Sequence, residues 1–436
     1  MKYYLAIDIG ATSGRHILGH FENNELKIEE IYRFDTPLVQ DGNGHAYWDV
    51  DKLFTYVKEG MKKAKELNKI PSRIGIDTFG VDYALLDENN SRIGNITSYR
   101  DIRTRQAKKE LLTPEKEFEL TGIQPNEFNS CYQLYCDYKS GKLKKAKTII
   151  FLPSYLGYLL TGTLQNELSI LSTGALLTPG GKSYSKEMLD NLGLKESQFP
   201  PIVEAGTSLG KLLPEIEKEV GYQSEVIASL EHDTAAAFFG SGAKKGDILL
   251  SSGTWSLLGI LLDEPIATKE AYEASFTNEL SFPNEVRFLK NIIGMWIINN
   301  LVRELKLDSV LDAVKEASKE ESRQYKFTFD ASDSSLLNPL SMKEAIYDLL
   351  RKDGHELPSN IGELFYCAYH SLAKAYDTAI KGIEKITNKK ASSIYIFGGG
   401  VKAEILNKLT EEVTGLKVNR GPSEATAIGT LLVISK

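Results

Sequence analysis

The chain has 436 residues, more than one hydrophobic core normally serves, so two domains are expected and three are the outer limit. Hydrophobic residues make up 42% and charged residues 25%, the balance of a soluble globular protein, and no apolar run reaches the roughly 18 residues of a bilayer span. The net charge is -7, with basic residues interspersed among acidic ones, which leaves no long basic face for nucleic acid. Cys131, Cys136 and Cys367 are odd in number and lack C-x-x-C spacing, so free thiols are expected rather than a disulfide framework or a zinc site. The N-terminus runs straight into a strand pattern without a signal peptide's apolar core and cleavage site, and a cytoplasmic location is the expectation.

In chain order, Tyr3 to Ile7 reads as a strand. It leads into the turn Asp8-Ile9-Gly10-Ala11-Thr12-Ser13-Gly14-Arg15 and a second apolar run, Ile17-Leu18-Gly19. Val50 to Asn68 reads as an amphipathic helix and Ile74 to Asp77 as a strand that turns at Gly80. There Phe79 and Tyr83 beside Asp77 and Asp82 are a mixture suited to a sugar, although strand alternation alone yields much of it. Tyr99-Arg100-Asp101-Ile102-Arg103 is either a surface charge cluster or a polar wall of that site, and the lysines from Lys139 to Lys147 read as a solvated loop. Thr148 to Phe151 follows as a strand, and Glu231-His232-Asp233-Thr234 stands just ahead of an Ala-rich helical run.

Ser241 to Gly246 is the best linker, dividing the chain into residues 1-240 and 241-436. Past it, strand Ile248 to Leu250, turn Ser251-Ser252-Gly253-Thr254-Trp255-Ser256 and apolar run Leu257 to Ile260 repeat the opening pattern. Leu364 to Thr387 carries a long apolar stripe, and strand Ser393 to Phe397 ends in Gly398-Gly399-Gly400 ahead of a helical Ala403 to Leu409. The small residues Ala425 to Gly429 are expected to pack a helix tightly against that glycine loop. Strands alternating with helices make this an α/β protein, and the repeated strand-turn-strand makes it two related domains across a cleft.

Exposed backbone N-H groups with Thr and Ser hydroxyls in two such turns can grip a polyphosphate from both sides. Neither turn holds the G-x-x-x-x-G-K-[ST] of a Walker loop. Asp8 beside the first turn is either a capping carboxylate or one that faces phosphate through Mg2+, and the second copy of the turn favours the latter. Arg15 is a phosphate-side cation or half of an ion pair. Asp233 is either a helix N-cap or the base that takes a proton from an acceptor hydroxyl, with His232 contacting the acceptor. Three glycines after a strand allow a flat group or a phosphate to approach the backbone.

These segments, with Trp48-Asp49-Val50-Asp51, Gly122-Ile123-Gln124 and Asn291-Ile292-Ile293-Gly294-Met295-Trp296, resemble the FGGY family of carbohydrate kinases, of the actin, hexokinase and Hsp70 (ASKHA) fold group. The resemblance covers nearly the whole chain. It implies two ribonuclease H-like domains facing a central cleft, ATP and Mg2+ as cofactors, and transfer of the γ-phosphoryl of ATP to a ketose hydroxyl. The catalytic base falls on Asp233, and the ATP-binding positions on Ala11, Thr12, Ser13, Gly14, Arg15, Thr254, Asn299 and Gly400. The sugar contacts fall on Gly80, His232, Asp233, Thr234 and Asn291, and the metal-side carboxylate is Asp8. L-Rhamnulose, phosphorylated on its 1-hydroxyl, is the first expectation; L-fuculose, L-xylulose or a non-catalytic sensor are the alternatives. The partner is a small-molecule sugar, with no nucleic acid or membrane, and the assembly a monomer or homodimer. Family members acting on L-rhamnulose carry Trp where this chain has Phe79 and Asp where it has Ser154. Their Asn-x-Thr-Thr-x-Gln run is Ile170-Leu171-Ser172-Thr173-Gly174-Ala175 here, and Ser154 is expected to cap a helix from Tyr155 to Leu160.

Overall fold

The computed structural model describes residues 1-282 and 284-436, and each half of the chain builds a six-stranded sheet. In the first half β1 (Tyr3–Ile9), β2 (Ser13–Glu22) and β3 (Glu25–Asp35) form an antiparallel meander. Asn23 and Asn24 turn β2 into β3 with φ of 50° and 64°, the left-handed pair that matches strand twist in a two-residue hairpin. Helix α1 (Val50–Glu66), capped by the Asp49 side chain, returns the chain to β4 (Pro71–Thr78), which pairs parallel with β1. Helix α2 (Leu152–Thr161) and strands β5 (Ser208–Lys211) and β6 (Glu225–Ile227) follow, and the sheet order is β5-β6-β4-β1-β2-β3. Helix α3 (Asp233–Gly240) closes this half.

The second half repeats the plan with β7 (Ile248–Ser252), β8 (Trp255–Leu262), β9 (Thr277–Ser281), β10 (Glu285–Ile293), α4 (Trp296–Glu304) and α5 (Ile361–Thr387). It ends with β11 (Ile394–Phe397), α6 (Glu404–Thr414), β12 (Val418–Arg420) and α7 (Ala425–Ile434). The order β9-β10-β8-β7-β11-β12 contains the same core as the first sheet, since β10-β8-β7-β11-β12 corresponds to β3-β2-β1-β4-β6. In both, three antiparallel strands are followed by two parallel ones, and only the sixth strand sits on opposite edges. This is the expected α/β fold of two ribonuclease H-like units. Among the described residues no helix is long and apolar enough to cross a membrane.

The halves are laced together by their last helices. From α3, Ala237 and Phe238 pack with Leu249, Leu289 and Phe397 of the second sheet. From α7, Ala427, Leu431 and Ile434 pack with Tyr4, Ala6 and Ile17 of the first. The two helices cross where glycine is required: a Cβ on Gly429 would lie 1.9 Å from the Ala236 carbonyl oxygen, and one on Gly240 2.1 Å from that of Ala425. The small run Ala425 to Gly429 therefore serves a helix-helix crossing with α3, which departs from the expected packing on the glycine loop.

Two local expectations are corrected. Helix α2 starts at Leu152 because Pro153 fits its first turn, so Ser154 is inside the helix and its hydroxyl donates to the buried Glu231 carboxylate instead of capping. A 3-10 turn, Gly399–Lys402, intervenes between the glycine triplet and α6, so the triplet does not abut an α-helical N-terminus.

Candidate active site

Asp8 is the penultimate residue of β1 and only 5% exposed. Strand register sets Arg15 opposite it on β2 and Asp77 opposite it on β4. Arg15 Nη2 lies 2.7 Å from Asp8 Oδ2, and its Nη1 binds Glu424 from the second half. The turn between them is held by Gly10 N donating to Ser13 O at 3.0 Å, by Thr36 N donating to Thr12 O at 2.9 Å and by Thr36 Oγ1 donating to Gly10 O at 2.6 Å. Ala11, Thr12 and Ser13 are thereby presented at the tip, with Gly14 pressed against the Phe34 ring.

Asp233 is the first residue of α3, and the cap position belongs to His232, whose side chain makes no capping bond. The Asp233 carboxylate is left partly open to solvent, with its side chain 31% exposed, and Thr234 Oγ1 donates to it at 3.0 Å. Burial, then the charge of Asp8, pushes its carboxyl up to about 7. His232 Nε2 sits 3.4 Å from Asp233 Oδ1 and 3.3 Å from where a Cβ on Gly80 would stand. Gly80, His232, Asp233 and Thr234 thus form one group. A valine with φ of 70° follows Gly80, and this strained Val81 is held by its N-H donating to Thr173 Oγ1 at 3.0 Å.

The second turn is closed by Gly253 N donating to Trp255 O at 3.0 Å and is joined to the start of α4 by Met295 N and Trp296 N donating to the Gly253 and Thr254 carbonyls. Gly400 touches it so closely that a Cβ there would lie 1.9 Å from Ser252 Oγ. Thr254 and Asn299 are exposed, and no side-chain hydrogen bond among the described residues engages either. Thr254 and Gly400 therefore belong to the β7-β8 turn and its contacts, and Asn299 lies on α4, whose first residues are bonded to that turn. Asn291 lies on β10 opposite Leu257, with its Oδ1 buried and unpartnered.

The acids near Gly80 do not line an open surface. Asp82 is 1% exposed and receives Trp48 Nε1 at 2.6 Å, Gln133 Nε2 at 2.8 Å and Tyr99 N at 3.0 Å. Asp77 is fully buried and receives Thr430 Oγ1 of α7 at 2.7 Å. Burial and the neighbouring Asp8 raise its carboxyl well above the usual range. Trp48, Phe79 and Tyr99 form a packed aromatic cluster, with Trp48 and Phe79 centroids 4.7 Å apart. Arg103 is tied to Asp137 at 2.6 Å. These residues support the Gly80 turn from behind.

Reading the sequence missed Arg287 and Glu279. Arg287 on β10 is 0% exposed, lies 3.1 Å from Glu279 of β9, and donates from Nη2 to His232 Nδ1 at 3.0 Å. No spacing could have revealed this, because each charge sits in an ordinary-looking strand.

Among the described residues no three His, Cys, Asp or Glu side chains form a metal cage. Mg2+ needs none, since it is commonly held by one or two carboxylates with phosphate oxygens and water. Asp8 has the chemistry for that role, and the Oδ1 of Asp77, opposite it in the strand register, is buried and unpartnered.

The model of the FGGY family of carbohydrate kinases matches residues 3–240 with its N-terminal domain and 248–435 with its C-terminal domain. The chain belongs to the FGGY family of carbohydrate kinases. This FGGY kinase is 39% identical to the rhamnulokinase of Halalkalibacterium halodurans, covering 99% of this chain and 93% of that protein. It is also 39% identical to the rhamnulokinase of Bacillus subtilis, covering 99% and 89% respectively. Its fold matches a xylulose kinase of Lactobacillus acidophilus with a TM-score of 0.84 at 17% identity, covering 100% of this chain and 89% of that one. It likewise matches the Plasmodium falciparum glycerol kinase with a TM-score of 0.82 at 14% identity, covering 99% and 89%. The FGGY kinase shares with these structures the two-sheet α/β architecture.

Proposed function

We propose that this sugar kinase transfers the γ-phosphoryl of ATP to the 1-hydroxyl of L-rhamnulose, with Asp233 as the general base. The observation that carries the reaction is Asp233 itself: a partly exposed carboxylate pushed up to about 7, grouped with Gly80, His232 and Thr234, and electrostatically coupled to Asp8 at the first turn. The two rhamnulokinases at 39% identity over nearly the whole chain support the choice of sugar.

In this reading residues 1–240 hold the acceptor sugar and the base, and residues 241–436 hold the nucleotide. Ala11 to Arg15 and Thr254 present backbone and hydroxyl donors to the phosphates, while Asn299 and Gly400 border the nucleotide. MgATP, when bound, supplies the phosphoryl group and the divalent charge that offsets its oxygens. Gly80, His232, Thr234 and Asn291 orient the ketose, and Asp233 accepts the hydroxyl proton as the oxygen bonds to the γ-phosphorus and the bond from that phosphorus to the bridging oxygen breaks, releasing ADP. Approach of the two halves excludes the water that competes for the phosphoryl group. A cytoplasmic location belongs to the same reading.

The test is product identification after incubation with ATP, Mg2+ and L-rhamnulose, L-fuculose and L-xylulose. L-Rhamnulose 1-phosphate should form with the highest kcat/KM. A higher value for another ketose would overturn the sugar assignment, and no phosphorylated product from any would overturn the reaction.

A further inference from the structure

Arg287 belongs to the second half of the chain, yet its side chain ends in the His232 group of the first. It is fully buried: Glu279 Oε2 lies 3.1 Å from its Nη2, the Leu280 carbonyl accepts from Nε at 3.3 Å and from Nη2 at 3.2 Å, the guanidinium lies 5.9 Å from the Phe238 ring centroid, and Nη1 has no partner among the described residues. Its contact with His232 has a consequence for the ring. A guanidinium is always protonated and only donates, so His232 Nδ1, 3.0 Å from Arg287 Nη2, must accept. The ring proton then resides on Nε2, the atom nearest Asp233 and Gly80.

Resting on the kinase reading above, we propose that Arg287 is a positioning residue of the acceptor site, locking His232 as the neutral Nε2-H tautomer so that it donates a fixed hydrogen bond to an oxygen of the sugar. The charged and titratable groups around the ring are Arg287 from β10, Glu279 from β9 at 3.5 Å and Asp233 from α3, and its backbone N-H donates to Ser169 Oγ at 3.3 Å. A proton on Nδ1 would set N-H against N-H, and burial together with Arg287 holds the imidazolium form well below its usual range. His232 is thus a hydrogen-bond donor and Asp233 alone moves the proton. Because the lock comes from the second sheet, acceptor recognition depends on the seating of that sheet against α3.

The experiment is nitrogen-proton correlation of the imidazole rings in full-length protein labelled at its six histidines, with His232→Gln used for assignment. Wild type should show His232 as a pure Nε2-H ring that does not titrate between about pH 5.5 and 8.5. The double variant Arg287→Met with Glu279→Gln, which leaves neither charge buried alone, should show mixed tautomers or a titrating ring. Its KM for the ketose should rise about tenfold, the size of one hydrogen bond lost, while its KM for ATP stays within about twofold. Arg287→Lys, which keeps a donor without the fork, should recover part of both signatures. An Nδ1-H or titrating His232 in wild type overturns the proposal, as do unchanged ring signals and ketose KM in a folded double variant. If that variant does not fold, the wild-type spectrum decides. The ring spectrum needs no turnover, so it fails separately from the kinase reading, which only the ketose panel overturns.

Discussion

The β1-β2 turn and the β7-β8 turn occupy the same place in matching five-strand patterns, and they carry different chemistry. The first has Asp8, Arg15 and His16 within it or beside it, and its β4 neighbour adds Asp77. The second, from Leu250 to Ile260, contains no titratable side chain and presents Ser252 against the glycine loop, with Thr254 and Trp255 exposed. Identical topology therefore does not imply identical work. Carboxylates near a developing alkoxide and a cation are useful, whereas carboxylates along a nucleotide's phosphates repel them. One hairpin supplies charge and the other supplies close, neutral contact.

The largest effect should fall on the charged side. Asp233→Asn is expected to lower kcat by at least ~10² while leaving ATP binding within a few-fold of wild type. Steady-state kinetics with titration of ATP binding checks this, and retained turnover would remove Asp233 from the role of base.

Acid should likewise destabilise the protein through its first half. Burial drives His16 down to about 4, with Nε2 3.0 Å from the Val57 carbonyl oxygen. Its ordinary value in an unfolded chain is ~6.5, so the neutral ring favours the fold fully above that pH. As pH falls from about 6.5 to about 4 the unfolded chain gains the proton first, and about 3 kcal/mol of stability is lost. Urea unfolding across that range should show a shallower slope for His16→Phe, and equal slopes would contradict the assignment.

On the neutral side, Gly400→Val should raise the KM for ATP by on the order of tenfold with a smaller change in kcat, because even a Cβ there would lie 1.9 Å from Ser252 Oγ. An unchanged KM would place the glycine loop outside the nucleotide site. The smallest effect is expected at the open end of the same hairpin, where Lys245 and Asp263 form an exposed pair at 2.5 Å. Lys245→Ala should leave the unfolding midpoint unchanged within error, since water screens that pair. A large loss would show that surface charge matters to the second hairpin after all.

Features set by local pattern were legible before any coordinates. The long helix expected from Leu364 to Thr387 is observed from Ile361, one turn earlier, because Asn360 caps it by accepting from Glu363 N at 3.0 Å. The expected strand at Ser393 to Phe397 starts one residue later, at Ile394. Both strand-turn-strand units are present, and the three cysteines are free. Local reading left Asp77 and Asp82 open between a sugar site and ordinary strand alternation, and both are buried. Polar residues in a strand look solvent-facing or ligand-facing, and only the helices and aromatic rings stacked on that strand determine otherwise.

By itself the amino-acid sequence determined the α/β class, the doubled hairpin and the acid at the head of α3, because periodicity, turn residues and spacing are properties of neighbours along the chain, and the likeness of its segments carried the family. Tertiary structure alone decided that Ser154 serves Glu231, that Asp82 is spent on Trp48 and Gln133, that Gly240 and Gly429 meet at a helix crossing, and that Arg287 reaches His232. Those contacts join residues tens to hundreds of positions apart. Their energies come from burial and hydrogen bonding between separate elements, and such partners leave no period in the chain.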